Sequence, residues 1–368
     1  MKGDDKHIAL FLPSLAGGGA QRVMVTLANG FAASHNVKID LVVVKAEGAY
    51  LGDTSPQVRV VELGASRVLF SLPALVRYLR RERPYALLSA LDHANIIALW
   101  ACKLARVDTR IVVTEHNNVT SNMRSESMGY AWLMPILMRR CYPWASDIVA
   151  VSHGVADDLS QVSALPRERI EVIYNPAVTE RLREMSTLPV THPWLASSEP
   201  PVILAAGRLT EQKDYPTLIK AFAALRARQP VRLVILGEGE LLDSLEAMVS
   251  SLGLSDDIAL LGFVDNPYAW MRQASLFVLS SAWEGLPTVL VEAMACGTPV
   301  VSTDCPNGPK EILENGAWGR LVPVGDTEAL CEAMAASLSS NSHHDVELRS
   351  RQFDLDKAVN AYLKVMQR

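Results

Sequence analysis

Short runs of large apolar residues recur along this 368-residue chain, each ending in a turn and followed by a longer stretch with helical spacing. His7-Ile-Ala-Leu-Phe-Leu12, Arg110-Ile-Val-Val-Thr114, Val202-Ile-Leu-Ala-Ala206, Val231-Arg-Leu-Val-Ile-Leu236 and Leu276-Phe-Val-Leu279 are such runs. Apolar at successive positions, they read as strands covered on both faces, as in a parallel sheet flanked by helices. The alternation runs from His7 to about Tyr174, then restarts at Pro201 and continues past Val324. It predicts two doubly wound α/β domains, residues 1–178 and 201–353, joined by a proline-bearing linker over 179–200. No internal repeat or low-complexity tract interrupts this pattern.

The turns that end these strands hold the candidate chemistry, because ligands of open α/β sheets bind outside the carboxyl ends of the strands. Ser281-Ala-Trp-Glu284-Gly-Leu-Pro287 follows one such run, with Pro287 placed to open a helix and Gly297 to close it. Glu284 then sits on the turn, and the amides after Gly285 face the same space; a carboxylate beside amide donors suits sugar hydroxyls. Glu292, inside the helix, can accept both hydroxyls of a ribose. The plain alternative is a solvated turn residue and a surface helix residue. Upstream, Gly207-Arg208-Leu-Thr-Glu-Gln-Lys213 leaves another strand. Its glycine permits close backbone approach, and its guanidinium and ammonium can hold a diphosphate as a fork and a point charge.

The order Gly207-Arg208-Leu-x3-Lys213, then Glu284-x7-Glu292, resembles glycosyltransferase family 4, the retaining, nucleotide-sugar-dependent group with a GT-B fold, and the likeness extends over nearly the whole chain. The resemblance implies two Rossmann-like domains facing each other across a cleft that closes to exclude water, with a C-terminal helix (354–368) that rejoins the first domain. It implies that Glu284 contacts the donor sugar, with Gly285 and Leu286 offering backbone amides, that Glu292 binds the ribose, and that Arg208 and Lys213 grip the diphosphate. It places a glycine-rich turn after the first strand, matched by Gly17, Gly18 and Gly19, with Gly18 and Gly19 nearest the ligand. Arg22 stands where a dinucleotide fingerprint needs Gly or Ala, which disfavours a dehydrogenase. His116 would approach the donor sugar, whereas Glu115 is equally explained by a structural salt bridge. Gly237, Glu238 and Val264 would lie along the nucleotide, the segment 89–95 near the acceptor, and Asn307 to Glu311 near either substrate. No covalent intermediate is implied, so catalysis would be positioning and neutralisation of diphosphate charge.

Composition narrows the picture further. The histidine and cysteine spacings match no zinc site, no metal or other cofactor is expected, and Asp354-Leu-Asp356 reads as a helix start. Five cysteines in apolar surroundings suggest reduced thiols and a cytoplasmic setting. Neither a signal peptide nor a run long enough to span a bilayer is expected. Residues 1–180 carry 19 Lys+Arg against 17 Asp+Glu, leaving 16 against 23 for the rest, so the first half is the basic one. Within it, Leu75 to Arg83 and Tyr130 to Trp144 combine arginines with apolar and aromatic residues. They read either as helices on the cytoplasmic face of an anionic inner membrane or as core-packed helices with a solvated edge. Scattered arginines and a pI near 5.9 give no nucleic-acid stripe. The expectation is retaining transfer of a hexose or N-acetylhexosamine from a nucleotide-diphosphate sugar, UDP-linked on family frequency, to a glycan or lipid-linked acceptor in bacterial cell-surface synthesis. A non-hydrolysing epimerase of the same fold and a catalytically silent sugar-nucleotide-binding protein are the alternatives.

Overall fold

The computed structural model describes residues 7–16, 18–34, 37–120, 133–195, 199–340 and 345–368. The chain forms two compact units, Met1–Pro176 with Leu355–Arg368, and Ala177–Asp354.

In the first unit, β1 (His7–Leu12), β2 (Lys38–Val43), β3 (Val58–Glu62), β4 (Ala86–Ala90), β5 (Arg110–Glu115), β6 (Asp147–Ala150) and β7 (Ile170–Val172) form one sheet in the order β3-β2-β1-β4-β5-β6-β7. In the second, β8 (Val202–Ala206), β9 (Arg232–Leu236), β10 (Ile258–Leu260), β11 (Leu276–Leu279), β12 (Val300–Thr303) and β13 (Arg320–Val322) follow the order β10-β9-β8-β11-β12-β13. The pairings are parallel, so every strand-end loop of a sheet leaves by the same edge. The order reverses between β1 and β4 and again between β8 and β11, where neighbouring loops diverge and open a crevice.

Every position of β4 and of β8 is buried, which accounts for their unbroken apolar runs. Leu10, Leu41, Leu88 and Val112 pack with Met24, Leu27 and Phe31 of helix Gly19–Ser34. Ile203, Leu233 and Val278 pack with Leu218 and Phe222 of helix Tyr215–Arg226 and Met334 of helix Thr327–Leu338. The helix Leu355–Met366 buries Val359, Tyr362, Val365 and Met366 in the first unit's core. Gly30 lets it close: a Cβ there would lie 2.7 Å from Val359 Cγ2 and 3.0 Å from Leu355 Cδ1.

Two stretches left open by the sequence take definite form in the structure. Residues 179–200 belong to the second unit, where Thr179 caps helix Glu180–Ser186 and Asn266 Nδ2 donates to Met185 O at 2.8 Å. Prolines around a short, well-capped helix gave that stretch the composition of a linker. Helix Leu72–Glu82 turns Leu75, Tyr78 and Leu79 into the core, so its apolar face is occupied and its arginines line the wet side. In Tyr130 to Trp144, Tyr130 and Trp132 lie outside the described residues, and helix Leu133–Cys141 buries Met138 and Cys141.

An ion network occupies the edge of the first sheet opposite its strand-end loops. Asp40, fully buried on β2, accepts Arg59 Nε at 2.8 Å and Tyr78 Oη at 2.6 Å, and His7 Nε2 lies 2.8 Å away. Arg59 and Lys38 also pair with Glu82 at 2.9 and 3.2 Å. Burial pushes the Asp40 carboxyl up, but bonds from His7, Arg59 and Tyr78 outweigh it and hold the group well below the usual carboxylate range. His7, Asp40 and Glu82 bring possible metal-ligand atoms within 4.8 Å of one another, yet Arg59 and Lys38 already neutralise these carboxylates.

Candidate active site

In the second unit, the loops leaving β8 and β11 flank the reversal in strand order, and they carry the acid and the base that the sequence singles out. Lys213 ends a 3-10 turn and is followed by Asp214 in the left-handed region at φ 45°, which aims the lysine back across the loop as the next helix begins. Its Nζ lies 2.6 Å from Glu284 Oε1. Ser281 Oγ donates to the same oxygen at 2.7 Å. Gln212 Nε2 donates to Trp283 O at 2.9 Å, Ala282 N donates to Gln212 O at 2.8 Å, and Ser280 Oγ donates to Lys213 O at 2.7 Å. These bonds fix one loop against the other, so the Lys213–Glu284 pair is held by backbone as well as by charge.

Neighbouring loops close in on this pair. Gly237, at φ 134°, crosses Gly207 so tightly that a Cβ would lie 2.1 Å from Gly207 O, and its N–H donates to Gly262 O at 2.7 Å. Backbone crossing alone therefore requires glycine at 237. Leu209 N donates to Glu238 O at 2.8 Å, while the side chains of Arg208 and Glu238 stand exposed at the same edge. Val264 is half-buried after β10, beside an exposed Phe263. On the other side, Gly285 and Leu286 are buried and precede helix Thr288–Ala295, within which Glu292 is 3% exposed. Glu284 N donates to Pro306 O at 3.2 Å, and a Cβ on Gly308 would lie 2.4 Å from Pro287 Cδ. Asn307, at φ 65° between them, keeps a buried Nδ2 with no partner among the described residues.

In the first unit, the loops after β1 and β4 flank the reversal. Gly17 lies outside the described residues; Gly19 opens helix Gly19–Ser34, and a Cβ on it would meet nothing within 4 Å. Packing within the unit thus gives no reason for glycine at 19, unlike Gly30. A Cβ on Gly18 would meet only the Gln21 side-chain amide, at 2.4 Å from Oε1. After β4, Leu91 holds φ 77°, costly for a branched side chain, and sets Asp92 at the start of helix Asp92–Ala105. Asp92 Oδ1 accepts His93 N at 2.6 Å.

His116 follows β5 and is 6% exposed. Thr114 Oγ1 lies 3.4 Å from its Nε2, and its Nδ1 is buried with no partner among the described residues. Burial lowers the imidazole to about 4, so it is neutral at physiological pH. Glu115 is the reverse case: burial and then the Asp92 charge raise its carboxyl to about 8, while bonds from Tyr142 and Asn95 act against the rise. Tyr142 Oη donates to Glu115 Oε1, and Asn95 Nδ2 lies 2.9 Å from the same oxygen. No ion pair to Glu115 exists among the described residues, so the salt-bridge explanation falls away.

The structure thus brings Glu284 into contact with Lys213 and sets Arg208, Gly237, Glu238, Val264, Gly285, Leu286 and Glu292 on the same edge of the second sheet. Gly18, Gly19 and His116 share the corresponding edge of the first. Sequence reasoning missed Ser281 and Gln212, which hold Glu284 and its loop. The signal for Ser281 was its place three residues before Glu284.

Comparison with known proteins bears on the family and the fold. The family model described as Glycosyltransferase Family 4 matches residues 17–181, and that described as Glycosyl transferases group 1 matches residues 192–352. A Campylobacter jejuni relative, N-acetylgalactosamine-N,N'-diacetylbacillosaminyl-diphospho-undecaprenol 4-alpha-N-acetylgalactosaminyltransferase, is 28% identical over 98% of this chain and 99% of its own. The lipopolysaccharide core biosynthesis glycosyltransferase LpsE of Rhizobium meliloti is 31% identical over 60% of this chain and 63% of its own. Among solved structures, Anabaena HepE in complex with UDP superposes with a TM-score of 0.80 at 21% identity, covering 98% of this chain and 99% of that one. Two parallel α/β units built on these strand orders, and two family models that tile the chain, place it in one group: the chain belongs to glycosyltransferase family 4 and has the GT-B fold.

Proposed function

We propose that the protein transfers a sugar, a hexose or N-acetylhexosamine, from a UDP-linked donor to a hydroxyl of a lipid-linked or glycan acceptor in bacterial surface-polysaccharide synthesis, with retention of anomeric configuration. The observation that carries this reading is Glu284 held at the switch point of the second sheet by Lys213 and Ser281. A carboxylate fixed in this way, beside the amides of Gly285 and Leu286, is preorganised to take sugar hydroxyls. Arg208 and Lys213 would meet the diphosphate and stabilise the charge that builds on the leaving group. Glu292 would bind the ribose, and Gly237, Glu238 and Val264 would line the nucleoside. In the first unit we assign the Gly18 and Gly19 amides to phosphate and neutral His116 to the reacting sugar. An imidazole neutral at physiological pH can accept or donate one hydrogen bond without repelling a developing oxocarbenium charge. The names of the Campylobacter and Rhizobium relatives supply the acceptor class, and the Anabaena complex supplies the nucleotide.

The reading is tested by thermal-shift titration with UDP, GDP and their sugars, with and without EDTA, on wild type, Glu292→Ala and Arg208→Ala. Saturation at about 100 times Kd adds roughly 2.7 kcal/mol of stability. The expected result is stabilisation by a uridine nucleotide, insensitive to EDTA and lost in both variants. Loss of the shift with EDTA would overturn the metal-free assignment, and a guanosine preference would overturn the base. Retention is read from the anomeric proton coupling of the product.

A further inference from the structure

Among the described residues of the first unit, the two most exposed large apolar side chains are chain neighbours and lie where the sequence did not point. Leu69 and Phe70, adjacent in the 3-10 turn Val68–Ser71, are 57% and 61% exposed, although two neighbouring large side chains in water are a standing cost. The turn lies between β3 and helix Leu72–Glu82, so it belongs to the strand-end edge that carries Asp92 and His116, and it packs against helix Asp92–Ala105. Between Glu62 and Glu82 the chain has no acidic residue and four arginines, Arg67, Arg77, Arg80 and Arg81. Arg80 is tied to Leu104 O at 2.9 Å and Arg81 to Glu82 at 3.1 Å. Arg67 beside the tip, and Arg77 one turn beyond exposed Pro73, are exposed and make no ion pair among the described residues.

We propose that Leu69 and Phe70 form a tip that inserts into an anionic lipid surface, with Arg67 and Arg77 meeting the lipid phosphates. An apolar pair flanked by cations matches the layering of a bilayer surface, acyl chains beneath a negatively charged headgroup plane. No helix among the described residues is long and apolar enough to cross a membrane, so the tip offers a reversible mode of attachment. It would hold the acceptor side of the first unit against the surface in which a lipid-linked acceptor resides. Attachment itself does not depend on the donor or acceptor assignments.

The test is co-sedimentation of the full chain with phosphatidylcholine vesicles and with vesicles containing phosphatidylglycerol, for wild type, Leu69→Ser/Phe70→Ser and Arg67→Glu/Arg77→Glu. Wild type should bind the anionic vesicles and release with salt. Each double variant should bind at least about tenfold more weakly: burying even one such apolar side chain is worth more than that factor, and reversing two arginines turns attraction to the anionic surface into repulsion. Far-ultraviolet circular dichroism and the nucleotide thermal shift, unchanged in both variants, show that the fold and the donor site are intact. Equal binding by wild type and Leu69→Ser/Phe70→Ser, or no binding of wild type to anionic vesicles, overturns the proposal. A dimer that the same variant converts to monomer, without vesicle binding, would assign the patch to self-association instead.

Discussion

Glu284 and Glu115 are both buried carboxylates at strand-end edges, one on each unit, and their surroundings differ in kind. Glu284 has an ammonium at 2.6 Å and a serine hydroxyl on the same oxygen. Among the described residues, Glu115 has a tyrosine hydroxyl and an amide, and its carboxyl rises to about 8. Asp40, at the far edge of the first sheet, shows that this unit can hold a buried carboxylate ionised when arginine and histidine surround it. What differs is therefore the partner supplied, not the depth of burial. The edge of the second sheet keeps a fixed ion pair. That of the first lowers its charge at neutral pH, with His116 uncharged and Glu115 partly protonated.

The largest effect should come from removing the fixed cation. Lys213→Ala is expected to lower kcat/KM by about 10²–10³, the typical loss for a preorganised electrostatic donor, measured as initial rates with saturating acceptor. Glu284→Gln sharpens the contrast, because it frees Lys213 from its counter-ion: turnover should fall by a similar factor while Kd for UDP stays level or tightens. Equal weakening of binding and turnover would mean that the carboxylate serves mainly to position the lysine. For Asp40→Ala, a loss of about 3 kcal/mol in urea unfolding of the first unit is expected, the lower end of the range for breaking a buried pair because Arg59 is partly exposed. Donor binding by the second unit should be unaffected.

The pH-dependent effect is the most diagnostic. The Glu115 carboxyl is higher in the folded state, about 8 against a usual 4.5, so the folded chain binds more protons between those values. Its contribution is fully present below about 4.5 and is lost as pH rises through 8. Glu115→Gln should thus gain stability relative to wild type from pH 5 to 8 and level off above that, read from thermal midpoints. His116 has the opposite sign: its neutral form contributes above about 6.5 and is lost as pH falls toward 4. A Glu115→Gln difference that does not change with pH would mean that a cation, invisible in this arrangement, keeps the carboxylate ionised.

Much of this was legible in the sequence, for physical reasons. Strands covered on both faces must be apolar at every position, so β5, β8 and β11 stood out, and with them the turns bearing His116, Arg208 and Glu284. What stayed hidden depends on folding in three dimensions. Ser281 and Gln212 are ordinary polar residues until two loops are laid side by side. The inward turn of Leu75, Tyr78 and Leu79 cannot be told from a membrane-facing stripe without knowing which face the sheet covers. Gly237 and Gly30 look like the glycines of a ligand loop and of a helix, yet both are fixed by contact with distant backbone or side chains.

The helix Leu355–Met366 also governs the order in which a nascent chain can mature. Residues 177–354 are contiguous and can fold as they emerge from the ribosome. The first unit, although synthesised earlier, lacks Val359, Tyr362, Val365 and Met366 from its core until the codons for residues 355–366 have been translated. During synthesis it must wait with the Gly30 face of helix Gly19–Ser34 uncovered, a natural hold for chaperones. A frameshift just before residue 355 would leave a folded second unit attached to an unfinished first.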